Sequence, residues 1–259
     1  MRTLAPDRLE AFARLRRQID PRCRTDPAAG RDATVATGLP GVDAALSGGL
    51  PCGALSELVF SAPSSGGQLF LLHLLHAARR RHCFLALVDG ADGFDPQSIE
   101  PPELLRQLLW VRCRAPAQAV HAADLLARDA NFAMLALDLR GCADRDLRRI
   151  PATTWYRLQR VVEPTDTVFA VLGSRRLVPA ARIRLRFETP LPLGALAMEQ
   201  TDVAERLAPG VDRLRTARNW GETATATDVD VATPPTRDAG APPYPSTHDD
   251  EGMLAFAAG

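Results

Sequence analysis

Six short apolar runs, "ALSELVF", "CFLALVD", "LWVRC", "FAMLALDL", "TVFAVLGS" and "ARIRLRFE", are spaced along the chain between Ala54 and Glu188. Stretches such as "FLALV" and "MLALD" lack polar alternation, the pattern of strands covered on both faces. Between the runs the apolar period lengthens to that of a helix, in "GQLFLLHLLHAARRR", "PELLRQLL", "PAQAVHAADLLARDA" and "RRIPATTWYRLQRVV". Strands alternating with helices predict an α/β fold with a central, mostly parallel sheet flanked by helices. Upstream, Leu9, Phe12, Leu15 and Ile19 recur at helical spacing and predict an amphipathic helix over Leu4 to Ile19, joined to the core by the turn-rich "DPRCRTDPAAGRDATVATG". After Ala217 the periodicity stops, and a segment rich in Thr, Pro, Ala and Asp predicts a disordered tail. That tail closes on "MLAFAAG", an apolar cluster behind an acidic patch and a candidate docking peptide. The expected organisation is an N-terminal helix and linker over 1–36, a core over 37–217 and a tail over 218–259, with no internal repeat.

Composition narrows the function classes. Hydrophobic residues make up 46% of 259, enough for a packed core. The chain has no lysine: 31 arginines balance 31 acids, and a net charge of zero argues against strong overall attraction to nucleic acid. Local arginine clusters remain able to make one face basic. The five cysteines, Cys23, Cys52, Cys83, Cys113 and Cys142, stand singly with no C-x-x-C pair, so zinc-site spacing is absent and reduced, mostly buried thiols are expected. No apolar run has the length of a secretory signal or a bilayer span, and a cytoplasmic protein is the expectation.

The chemistry-bearing stretch is "ELVFSAPSSGGQLFLLHLL", Glu57 to Leu75: a buried strand, a small-residue turn and an apolar helix. This is the layout of a nucleotide phosphate loop, whose pattern G-x-x-x-x-G-K-[ST] sets a lysine on the outer phosphates and a hydroxyl on magnesium. Here the four positions are Ser61, Gly66, Gly67 and Gln68.

The longer run "TGLPGVDAALSGGLPCGALSELVFSAPSSGGQ", Thr37 to Gln68, resembles the opening of the ATPase core of the RecA recombinase family. It keeps Thr37, Gly38, Asp43, Leu46, Gly48, Gly49, Leu50, Pro51, Gly53 and Glu57, then Pro63, Ser64, Ser65 and Gly66. "LALVDGADGFDP" resembles the family's second strand and acidic turn, with Asp89, Asp95 and Pro96 in place. "AMLALDLRG" resembles the Walker B strand ending at Asp138, and "VFAVLGSRR" the strand that carries a polar sensor. The likeness runs from Thr37 to Phe187 and implies a RecA-like P-loop core.

What the resemblance implies for activity turns on its departures. Gly67 stands at the lysine, Gln68 at the metal-binding hydroxyl, Ala91 at the water-activating glutamate and Ser174 at the sensor glutamine. Phosphoryl transfer depends on positioning and on neutralising charge at the γ-phosphate, so these losses imply no catalytic residue and no efficient hydrolysis. Asp92, one residue beyond Ala91, is expected to point to the opposite face. Backbone N–H groups of Ser64 to Gly67 leave vestigial ATP binding open, with Ser61, Ser65, Gln68 and Asp138 around them. The DNA-contacting loops also look shortened.

Short, degenerate RecA-like chains of this kind resemble the ImuA group, associated with SOS mutagenesis. That resemblance implies a non-catalytic partner in translesion DNA synthesis, bound to a Y-family polymerase-like protein and an error-prone replicative-type polymerase, with RecA as a further partner. The alternatives are a SulA-like cell-division inhibitor and a RecA-like DNA-binding ATPase with an unconventional nucleotide loop. Candidate contact residues for a partner or DNA are Arg145, Arg148, Arg149 and Arg157 near Trp155 and Tyr156, and Arg182, Arg184 and Arg186 along one side of a strand. A solvated helix face and a half-buried edge strand explain the same patterns. His73 and His76 have no third ligand in the sequence, so no metal is expected.

Overall fold

The computed structural model describes residues 33–129 and 131–214. The helix expected over Leu4 to Ile19, the linker with Cys23 and the tail after Ala217 lie outside the described residues. A two-residue strand, β1 (Thr34–Val35), pairs antiparallel with β2 (Leu50–Pro51) around the short helix α1 (Pro40–Ala45). The Asp43 carboxylate ties this entry together by accepting from the backbone N–H groups of Thr37 (2.8 Å) and Gly38 (2.9 Å).

Strands and helices then alternate: β3 (Ala54–Phe60), α2 (Gly67–Arg80), β4 (Leu85–Asp89), β5 (Leu108–Arg112), α3 (Pro116–Ala127), β6 (Met134–Asp138), α4 (Asp144–Leu147), α5 (Ala152–Val162), β7 (Val168–Gly173), β8 (Ile183–Phe187), α6 (Gln200–Arg206) and β9 (Gly210–Leu214). The sheet order is β5-β4-β6-β7-β3-β8-β9, parallel throughout except where β9 runs antiparallel to β8. Every residue of β3, β4, β6 and β7 is buried, as their unbroken apolar runs require. On one face Phe70, Leu71 and Leu74 of α2 join Leu58, Leu172 and Leu185 in a core. On the other, Ala119 and Ala123 of α3 and Trp155 and Leu158 of α5 pack with Leu137 and Phe169. From β3 the chain crosses over β7 and β6 to reach β4, so the carboxyl ends of β3 and β6 open on one crevice, the usual place for a ligand in such sheets.

The departures from the expected elements are local. "PELLRQLL" winds only as a 3₁₀ turn over Pro102–Gln107 and passes straight into β5. "RRIPATTWYRLQRVV" is two pieces, α4 and α5, because a proline disfavours helical geometry in the residue before it and Pro151 itself is extended at φ −65°, ψ 143°. β8 is not an edge strand: β9, whose Asp212 and Arg213 break the apolar pattern, pairs along it. No helix among the described residues is long and apolar enough to cross a membrane.

Candidate functional site

The loop from Ser61 to Gly66 joins β3 to α2 and is pinned at both ends. Ser61 donates its backbone N–H (3.1 Å) and hydroxyl (3.3 Å) to the Phe187 carbonyl, and Leu191 N–H donates to the Ser64 carbonyl at 3.0 Å. Ser65 is buried and donates its hydroxyl to the Ala62 carbonyl at 2.7 Å, leaving it committed to the loop's own shape. Gly66 has φ +95°, and a Cβ there would lie 2.4 Å from Leu207 Cδ1. The turn and its close packing therefore both require glycine. α2 begins without a side-chain cap or an acidic residue in its first turn, so its leading N–H groups carry uncompensated partial positive charge. They border a cavity of about 790 Å³ lined by the loop, Asp138, Arg140 and Ser174, with Leu191, Leu193 and Val203 on the far wall.

Arg140, two residues past the end of β6, dominates this cavity. Its Nε (2.9 Å) and Nη2 (2.6 Å) donate to the two oxygens of Asp138, and its backbone N–H adds a third bond at 3.1 Å. Asp138 is buried, so its carboxylate needs such a partner. The guanidinium carbon sits 5.4 Å from the Phe60 ring centroid. It also lies directly over Gly67: a Cβ on that residue would stand 1.5 Å from Arg140 Nη1. A side chain at position 67 and the observed position of Arg140 are mutually exclusive.

The other residues singled out in the sequence are placed as follows. Gln68 reaches away from the loop to Ser98 Oγ (3.2 Å) and the Asp95 carbonyl (3.4 Å). Asp89 accepts from Ala91, Gly93 and Phe94 N–H groups and from Trp110 Nε1, which makes it the organiser of the turn after β4. Asp92 is turned outward into a two-bond ion pair with Arg112 at 2.6 Å, and that hydrogen bond holds its carboxyl below the usual range. The Cys142 thiol is pushed up to about 11, first by burial and then by the negative charges of Asp138, Asp89 and Asp146, so it stays protonated at neutral pH. Among the described residues no cluster of three or more His, Cys, Asp or Glu side chains has metal-binding geometry. The rings of His73 and His76 lie 6.0 Å apart on α2.

The arginine candidates divide. Arg145, Arg148 and Arg149 are exposed around α4, each beside Asp144 or Asp146 at 3.3–3.7 Å. Trp155 is 2% exposed and belongs to the core under α5, so it is removed from the surface set. Arg157 remains on the surface, 3.6 Å from Asp124. Arg182, Arg184 and Arg186 do not form one cationic face, because β8 lies between β3 and β9. Arg184 is buried and paired with Glu57 at 2.5 Å, Arg186 is engaged by Asp212 (3.2 Å) and Glu188 (2.9 Å), and Arg182 is half-buried. Glu57 also accepts from the Leu177 and Val178 N–H groups, tying β3 to the segment after β7. Arg140 escaped the sequence reading; the available signal was an arginine two residues after the Walker B aspartate in a chain without lysine.

No family model matches the chain. Over 107 residues it is 31% identical to the RecA protein of Rickettsia bellii, a stretch covering 40% of this chain and 31% of that protein. It is 34% identical over 107 residues to RecA of Blastochloris viridis (40% and 30%) and 30% identical over 115 residues to RecA of Rubrobacter xylanophilus (44% and 33%). The aligned stretch spans about a third of the length of these curated relatives. Sequence similarity and a mostly parallel, helix-flanked sheet together make this a RecA-like chain.

Proposed function

We propose that this chain is a RecA-like accessory protein that does not hydrolyse ATP and acts by protein contacts in SOS-induced translesion DNA synthesis. The observation that carries the proposal is Arg140 lying across Gly67 and bound to Asp138 by two side-chain bonds. A magnesium–triphosphate needs a free acidic group, a hydroxyl and a cation on the phosphates. Here the acid is already neutralised, Gln68 faces Ser98, Ala91 supplies no base, and the cation is held by the acid instead of standing free in the loop. The residues present do not fit that group, and the cradle serves as architecture. The step from architecture to translesion synthesis is supported by the resemblance to the ImuA group, which implies a Y-family polymerase-like protein and an error-prone replicative-type polymerase as partners, with RecA as a third. ATP turnover by the purified full chain, with and without single-stranded DNA, tests the catalytic half. The rate is expected to equal that of buffer and to be the same for Asp138→Ala; turnover that the substitution abolishes would refute it.

The same arginine favours one second reading, an unconventional nucleotide loop in which Arg140 leaves Asp138 to meet a phosphate. That reading requires hydrolysis or tight binding that Arg140→Ala removes.

A further inference from the structure

The paired helices α3 and α5 carry surface features that neither the core nor the cradle uses. Asp124 of α3, with a side chain only 12% exposed, sits where the two helices meet. It accepts two bonds of 3.2 Å from Arg128 one turn along α3, and Arg157 approaches it from α5 at 3.6 Å. One carboxylate thus fixes two guanidiniums, which leaves excess positive charge and reduces the rotamer freedom those side chains lose on binding. On the outward sides of this junction stand Leu125 and Tyr156, 56% and 53% exposed. Tyr156, Arg157 and Arg160 recur at helical spacing on α5, and Leu125 and Arg128 do so on α3. Singly exposed apolar residues are ordinary. An aliphatic and an aromatic anchor on two adjoining helices, rimmed by arginines that are already positioned, have the make-up of a protein-binding hot spot.

We infer that the outer face of α3 and α5 is a docking surface for an acidic, amphipathic helix of a partner protein, its apolar stripe on Leu125 and Tyr156 and its carboxylates on Arg128, Arg157 and Arg160. A nucleic-acid strand suits the face less well: a phosphate backbone favours uninterrupted cations, whereas Asp124 and, one turn beyond Arg160, Glu163 put negative charge among these arginines. The inference rests on the reading that the chain works through protein contacts, and it supplies the surface and the partner chemistry.

The test is fluorescence anisotropy on the full chain. The probe is a labelled synthetic helix with leucines on one stripe and glutamates beside it; the competitors are its lysine counterpart and a single-stranded oligonucleotide. The acidic peptide is expected to bind, and to bind at least about tenfold more weakly to Leu125→Ser and to Arg157→Glu/Arg160→Glu. Arg145→Glu/Arg148→Glu on α4 is expected to change affinity less than about twofold. Circular dichroism of each variant checks folding. Absence of peptide binding, equal binding by the α3–α5 variants, or displacement by the oligonucleotide would overturn the inference. None of these readouts depends on ATP turnover, so a chain that proved to be an ATPase would fail the functional proposal and leave this titration to stand or fall separately.

Discussion

At the scale of single residues, two arginines define what this core has become. Arg140 takes the space that a lysine at position 67 would need, and it discharges Asp138. Arg184 lies inside the sheet with Glu57, and this pair illustrates how buried charge constrains a fold. Removing one partner of a buried ion pair typically costs about 3–5 kcal/mol, because the other charge is left desolvated. Glu57→Gln keeps an acceptor for the Leu177 and Val178 N–H groups and removes only the charge. It is expected to lower unfolding free energy by about 3–5 kcal/mol in urea titration; a loss within about 0.5 kcal/mol, the usual range for a surface substitution, would show that Arg184 finds another route to water. Glu57 was recognisable from the RecA-like motif, but its partner was not. Alternation in "ARIRLRF" assigns Arg184 to the outer side of an edge strand, and only pairing with β9 turns that side into a packed layer.

At the scale of elements, the strands were legible because sheets buried on both faces demand unbroken apolar runs, as in Leu85–Asp89 and Met134–Asp138. β9 was not, since Asp212 and Arg213 interrupt it and Asp212 is there to hold Arg176 at 2.9 Å and Arg186 at 3.2 Å. The break between α4 and α5 was written in Pro151, whose effect on Ile150 was overlooked. α2 carries a pH-dependent contribution. Burial, then the positive charges of His76 and Arg80, lowers the pKa of His73 below its ordinary 6.5, and Asp43 only partly opposes this. The unfolded chain then binds the proton more readily than the folded one, so stability is fully present above pH 6.5 and declines as the pH falls below it. His73→Gln should flatten that part of the profile in urea midpoints measured across the acidic range. A profile as steep as that of the unsubstituted chain would assign the decline to other groups.

At the scale of the described core, the molecule keeps the strand order, loop position and crevice of a RecA-like sheet and rebuilds the chemistry inside the crevice from its own side chains. The sequence alone located the cradle and its missing groups; how the space was refilled depended on the loop after β6 folding back over α2, a long-range contact that spacing cannot reveal. Partner contacts then become the natural use of a scaffold whose pocket is internally neutralised. The most direct test is the melting temperature of the full chain with and without saturating Mg²⁺–ATP. A ligand present at 100 times its dissociation constant stabilises the folded state by about 2.7 kcal/mol. The account predicts no shift in the unsubstituted chain; a rise of several degrees that disappears in Asp138→Ala would contradict it.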